Sequence, residues 1–81
     1  MATGLVEKTG TAMVEAFRQA ITEQMGRNEL SVSEAARRAE MARPYLHRML
    51  RGDQEPSLRV AARLAEALGL ELVLKVRKKK I

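Results

Sequence analysis

The side chains best suited to chemistry in this 81-residue chain are arginines, and several of them lie close together after residue 42. Arg43, Arg48 and Arg51 surround the single histidine, His47. A guanidinium is a planar fork of N–H donors that binds anions and paired acceptors. The chain has no cysteine, so it has neither a disulfide nor a thiolate metal site. One histidine cannot supply a metal site that needs two imidazoles. These residue types favour binding over catalysis, and we predict no enzyme activity, no metal and no cofactor.

The overall charge indicates the kind of partner. Fifteen basic residues stand against ten acidic ones, which gives a formal net charge of +5. Such an excess favours an anionic partner, with nucleic acid ahead of an acidic protein or a membrane surface. The alternative is a surface that is basic only for solubility. No apolar run approaches the ~20 residues that span a bilayer, and residues 1–10 lack the features of a secretory signal. We therefore expect a cytoplasmic protein.

Length and composition predict one small helical domain, because a chain of this size can bury only one core. Phe17 and Tyr45 are the two aromatic residues, so the core must consist of aliphatic side chains and alanine. The first ten residues are interpreted as a flexible leader, and the folded domain is predicted over residues 11–69. Within it, Thr11 caps a first helix over residues 12–25, with apolar residues recurring at helical spacing. The predicted inward positions are Met13, Phe17, Ala20, Ile21 and Met25.

Two short helices follow. Ser31 and Glu34 have the spacing of a capping box, which predicts a helix over residues 32–39 with small alanines facing inward. The next helix is predicted over residues 43–50, where Pro44 is tolerated because it lies in the first turn. Leu46, Met49 and Leu50 form its apolar stripe, and Gly52 ends it.

A fourth helix and a strand complete the prediction. Ser57 caps a helix over residues 58–68, whose predicted buried positions are Leu58, Ala61, Leu64, Ala65 and Leu68. After Gly69 the apolar period changes from about 3.6 to 2, which predicts a strand over residues 70–77. Residues 78–81 form a basic tail.

Two short helices joined by a tight turn, the second with a basic outer face, make a helix-turn-helix. The stretch from Leu30 to Gly52 resembles the lambda-repressor/Cro-like regulators, also called the xenobiotic-response-element type. The resemblance continues through Pro56-Ser57-Leu58 and the segment that ends at Gly69. It implies an all-α fold of four to five helices. The family has glycine in the turn where this chain has Glu40, and a non-glycine residue at positive φ there would cost on the order of 1 kcal/mol.

The resemblance also implies a set of DNA contacts, with the helix that begins near Arg43 in the major groove. Arg43 and Arg48 are the leading base readers, because the guanidinium fork matches O6 and N7 of guanine. The full set of predicted base contacts is Arg43, Pro44, Tyr45, His47 and Arg48. The predicted contacts to the DNA backbone are Val32, Ser33, Arg37, Arg51 and Gln54. Each has an alternative: solvated charge for Arg37, a half-buried packing role for Tyr45 and a plain exposed polar residue for His47.

The predicted strand has no sheet to join within this chain, so its backbone N–H and C=O groups would be unpaired and open to aggregation. Antiparallel pairing with a second copy would give these groups hydrogen-bond partners. Some antitoxins in the lambda-repressor/Cro-like family have such a strand. The predicted dimer interface is Leu70, Leu72, Leu74 and Val76. The alternative is that the segment folds back on its own helices or is disordered.

These features together predict a homodimeric transcriptional repressor that reads a palindromic operator in double-stranded DNA. Two alternatives stay open. The chain could be the antitoxin of a toxin–antitoxin pair that represses its own operon and binds a toxin. It could also be a protein–protein interaction module whose positive charge is incidental.

Overall fold

The structure is a computed structural model that describes the backbone of residues 2–79 and the side chains of residues 9–79. This part of the chain contains four α-helices: α1 (Ala2–Arg27), α2 (Val32–Arg38), α3 (Arg43–Arg51) and α4 (Leu58–Ala67). The all-α prediction is confirmed. Residues 70–79 form neither helix nor strand, so the predicted strand over residues 70–77 is not present in the single chain. The last two residues of the predicted basic tail lie outside the described residues.

The first helix is longer than the sequence pattern predicts. It begins at Ala2 and continues without interruption to Arg27, so most of the predicted leader is helical backbone. Neither Gly4 nor Gly10 interrupts the helix. A glycine costs a helix only about 1 kcal/mol relative to alanine, and proline, the residue that would break it, is absent from this stretch.

The core lies where the four helices meet. Ile21 and Met25 of α1 pack with Leu46 and Met49 of α3 and with Leu64 of α4, and all five are buried. Between them lie three alanines of the second helix and its end, which are 2% exposed or less: Ala35, Ala36 and Ala39. Small side chains there let α2 pack closely against both α3 and α4. The predicted inward-facing alanines are therefore confirmed.

Three predicted core positions are wrong. Met13, Ala20 and Leu58 are exposed, and Leu58 is 64% exposed. Leu58 is the first residue of α4, where the helix has not yet entered the core; burial begins one turn later, at Ala61. Met13 lies on the part of α1 that precedes its buried residues. Helical periodicity gives the face of a helix but not how far along its length that face is covered.

All four helices end in the same backbone motif. A residue in the left-handed region donates its N–H to the carbonyl three residues back, and the next residue donates to the carbonyl five back. The left-handed residue is glycine after α3 and α4, at Gly52 and Gly69, but glutamate after α1 and α2, at Glu29 (φ 52°) and Glu40 (φ 55°). This motif makes the turn between α2 and α3 tight.

Among the described residues, no helix has the length and apolar character needed to cross a membrane.

Candidate nucleic-acid interface

The first turn of α2 is fixed by the predicted capping box. The backbone N–H of Glu34 donates to the Ser31 hydroxyl at 3.1 Å, and the Glu34 carboxylate accepts from the Ser31 N–H at 2.8 Å. These bonds satisfy two donors that a helix start would otherwise leave free. The backbone hydrogen bond from Ser31 is also the main reason why the pKa of Glu34 lies below its ordinary value. The Ser31 hydroxyl and the positive charges of Arg37 and Arg38 act in the same direction.

The turn between α2 and α3 contains Glu40 in the left-handed region. This is the position at which the family resembled has glycine. The Glu40 N–H donates to the Arg37 carbonyl at 3.2 Å, and the Met41 N–H donates to the Ala36 carbonyl at 3.0 Å. These bonds fix the path of the chain despite the cost, on the order of 1 kcal/mol, of holding a Cβ at positive φ. Ala42 then extends the backbone, and Pro44 falls in the first turn of α3.

The third helix has two clearly different faces. Leu46 and Met49 are buried, at 0% and 1% exposure, and hold the helix against the core. The opposite face projects away from the core and is predominantly basic. Its exposed residues are Arg43, Pro44, His47, Arg48 and Arg51. A short helix that carries several cations on an exposed face, beside a second helix across a tight turn, can enter a groove lined with phosphates.

Two arginines on this face are oriented by neighbouring side chains. Nε of Arg43 donates to the Ser33 hydroxyl at 3.0 Å, and Nε of Arg48 donates to Oε1 of Gln54 at 3.2 Å. A bond through Nε leaves the two terminal nitrogens of each guanidinium free to approach a second acceptor group. Each pair joins a predicted base contact to a predicted backbone contact.

The other predicted DNA contacts are less uniform. Arg37 is exposed on α2, and Arg51 is exposed with its Nε 3.4 Å from a carboxylate oxygen of Asp53. Val32 and Tyr45, by contrast, are half-buried and pack against the core. A side chain in that position offers only one edge to a ligand, so Val32 and Tyr45 have a clear packing role as well.

The predicted dimer residues also differ in how exposed they are. Leu70 is half-buried against the core of its own chain, and its N–H donates to the Ala65 carbonyl at 2.8 Å. Leu72, Leu74 and Val76 are exposed, at 37%, 57% and 85%. Leu72 and Leu74 lie along an apolar groove of about 510 Å³. Its other walls are the face of α1 around Met13 and Phe17 and the start of α4 at Leu58 and Ala61, together with Val73.

Sequence reasoning missed the polar contacts that α1 makes to the other helices. The guanidinium of Arg18 donates to the Leu50 carbonyl at the end of α3, and the Gln24 amide donates to the Leu68 carbonyl just after α4. Periodicity places Arg18 only on the polar side of α1. No local signal reveals these bonds, because their partners are distant in the sequence.

Two short helices, α2 and α3, are joined by a tight turn, and α3 is exposed and basic. This arrangement defines the class of helix-turn-helix domains. The family model described as "Helix-turn-helix domain" matches residues 16–75, from the middle of α1 into the C-terminal segment. The chain therefore belongs to the helix-turn-helix family of DNA-binding domains, a family that is typically not enzymatic. Comparison with curated proteins and with solved structures gave no match.

Proposed function

We propose that this chain is a homodimeric transcriptional repressor of the lambda-repressor/Cro-like type that binds a palindromic operator in double-stranded DNA. The observation that carries the proposal is the division of α3 into two faces. Leu46 and Met49 anchor it, while Arg43 and Arg48 are exposed and oriented by hydrogen bonds. Side chains held in one direction lose less conformational entropy when they bind a base pair.

In this proposal Arg43 and Arg48 read bases in the major groove. The terminal nitrogens of a guanidinium match O6 and N7 of guanine, so each operator half-site is expected to contain guanines opposite these two residues. Pro44, His47 and the exposed edge of Tyr45 lie on the same surface and complete the contact to the base edges.

Contacts to the phosphates fix the register of the helix on the duplex. Ser33 and Gln54 flank the two base-reading arginines and would lie nearest to the DNA backbone. Val32, the residue before Ser33, would also lie near the DNA backbone. Arg37 and Arg51 are exposed and add positive charge on either side of α3. The Arg51 guanidinium would exchange its contact with the Asp53 carboxylate for a phosphate.

The proposed dimer forms through the C-terminal segment. Leu72, Leu74 and Val76 are exposed in the single chain, and antiparallel pairing of residues 70–77 across a two-fold axis would cover them and satisfy their backbone groups. The walls of the adjoining groove come from α1, α4 and the C-terminal segment, none from α2 or α3. A second copy bound at this side would leave α3 free for DNA.

Dimerisation gives the length of DNA that one short helix cannot read alone. Two copies of α3 separated by about 34 Å would contact two half-sites one helical turn apart. Occupation of such a site within a promoter blocks transcription. This function requires a cytoplasmic protein.

Selection of bound duplexes from a random pool tests the proposal. The expected result is an enriched two-fold symmetric motif with half-sites one turn apart and with guanines in each half. Gel shift with random genomic fragments is the companion measurement. If no retarded band forms even at low salt, the chain is a protein–protein interaction module and the repressor proposal is wrong.

A further inference from the structure

Three of the four helix ends are held to the core by an apolar residue. Directly after the left-handed residue, Leu30 follows α1, Met41 follows α2 and Leu70 follows α4, and all three are partly buried against the core. Their N–H groups donate to the carbonyl five residues back at 2.9, 3.0 and 2.8 Å. An apolar contact at this position commonly accompanies the motif and fixes the helix end.

The end of α3 is the exception. The backbone bonds are the same: the Gly52 N–H donates to Met49 at 3.1 Å and the Asp53 N–H donates to Arg48 at 2.9 Å. The residue after the left-handed glycine, however, is Asp53, which is exposed and cannot pack against the core. The helix proposed to enter the DNA groove thus lacks the anchor that the other three have.

Arg18 of α1 supplies a different attachment. Its Nε and Nη2 atoms both donate to the Leu50 carbonyl, at 3.2 and 2.9 Å. That oxygen is one of the last four of the helix, which have no partner within it, and the bonds from Gly52 and Asp53 use other carbonyls. Two donors of one planar group on one acceptor restrict both the distance and the direction of the contact. The guanidinium charge also lies at the negative end of the helix dipole.

The surroundings hold Arg18 in this position. Its side chain is only 22% exposed and pairs with the Glu15 carboxylate one turn earlier on α1. On its other side, a Cβ added to Gly52 would lie 3.3 Å from Nη1 of Arg18. Gly52 therefore serves two purposes, positive φ and the close approach of the guanidinium.

We propose that Arg18 is a positioning residue for DNA recognition, which sets the orientation of α3 by fixing its C-terminal end to α1. This inference rests on the proposed function. A nine-residue helix is about 13 Å long, so a tilt at its end moves Arg43 and Arg48 relative to the base edges. Arg18 contributes to the discrimination between operator and other DNA without touching DNA itself.

The chain offers a matched control in Gln24. Its Nε2 donates to the Leu68 carbonyl at 2.8 Å, so it too joins α1 to the end of a helix, but that helix is α4. Substituting methionine at either position keeps an unbranched side chain and removes the bond. Arg18→Met should lower stability in urea unfolding more than Gln24→Met, because Arg18 also pairs with Glu15 and the Leu68 carbonyl still accepts from the Asn28 amide at 3.4 Å. Arg18→Lys keeps the charge and one donor group.

The test measures affinity for the selected operator and for a scrambled duplex, at a temperature where every variant is folded. For Arg18→Met the operator-to-scrambled ratio should fall at least about tenfold, which corresponds to ~1.4 kcal/mol. Arg18→Lys should restore part of the loss, and Gln24→Met should leave the ratio unchanged. The fluorescence and near-UV circular dichroism of Tyr45, the single tyrosine and a residue of α3, should change with Arg18→Met but not with Gln24→Met.

Several results would contradict the positioning role of Arg18. An unchanged ratio for Arg18→Met, or equal losses for both methionine variants, would overturn the positioning role and leave Arg18 as a stabilising contact only. If the unmodified protein does not distinguish the operator from the scrambled duplex, the proposed function itself fails, and the role of Arg18 fails with it. Unaltered Tyr45 spectra in Arg18→Met would overturn the change in helix orientation without any reference to DNA.

Discussion

Arg43 Nε and Ser33 Oγ lie 3.0 Å apart in a hydrogen bond that joins the first turn of α3 to the first turn of α2. Arg43 directly follows the turn, whereas Ser33 lies at the other end of α2, and the two were predicted to have different tasks, base contact and backbone contact. Because one holds the other, the position of α2 on the duplex and the direction of the Arg43 fork are coupled in the proposed complex.

Arg43→Ala is expected to weaken binding to the selected operator by about 1–3 kcal/mol and to have little effect on random DNA. Ser33→Ala should cause a smaller loss in the same direction, because the guanidinium remains but is no longer oriented. Titration of labelled duplexes measures both. Arg63→Ala, on the exposed side of α4, is the control and should change neither affinity. Equal losses on operator and random DNA would make Arg43 a phosphate contact.

The dependence of binding on salt reports the number of phosphates neutralised. The log–log slope should be steep, and Arg51→Gln should reduce it by about 0.9 if Arg51 contacts one phosphate. Affinities measured between low and physiological salt give the slope, and Arg63→Gln is the matched removal of one charge elsewhere. An unaltered slope for Arg51→Gln would show that this arginine stays with Asp53.

The double substitution Leu72→Lys with Leu74→Lys should produce a monomer in sedimentation velocity, because it places charge in the proposed interface and removes its apolar side chains. Glu71→Lys is a matched control: it raises the net charge by the same two units in the same exposed segment but keeps both leucines. The control should remain dimeric. A dimer that persists in the double variant would place the interface elsewhere.

Replacing Glu40 by glycine should raise the free energy of unfolding by up to about 1 kcal/mol, since glycine adopts positive φ without the steric cost of a Cβ. Urea unfolding measures the change. The same replacement at Glu66, which is exposed within helix α4, should instead lower stability by ~1 kcal/mol. A loss of stability in Glu40→Gly would mean that the Glu40 side chain contributes more than its backbone strain costs.

The capping box should make stability depend on pH in acid. The pKa of Glu34 is lowered, first by the Ser31 N–H and then by the Ser31 hydroxyl and nearby arginines. The carboxylate is therefore favoured by folding: its stabilisation is complete above the unfolded-state pKa and is lost as pH falls through the lower folded-state pKa. Relative to Glu34→Gln, the unmodified protein should lose its advantage over that range. A Glu34 pKa at or above 4.5 in a carboxyl NMR titration would contradict this prediction.

The sequence by itself determined the local features of the fold. Ser31 and Glu34 identified the start of α2, Gly52 identified the end of α3, and the alanines of α2 identified its inner face. Each of these signals is contained within one or two helical turns, where propensity and capping chemistry act. The sequence also indicated the helix-turn-helix class through the basic residues of α3.

Only the tertiary structure decided which apolar residues are covered and which polar groups meet. Met13 and Leu58 follow the helical period yet remain exposed, because the neighbouring helices do not extend over them. Arg18 and Leu50 come together because α1 crosses the end of α3, and no pattern along the chain records that crossing. Burial and long-range hydrogen bonds depend on the relative placement of whole helices, a property that residue spacing within one helix does not contain.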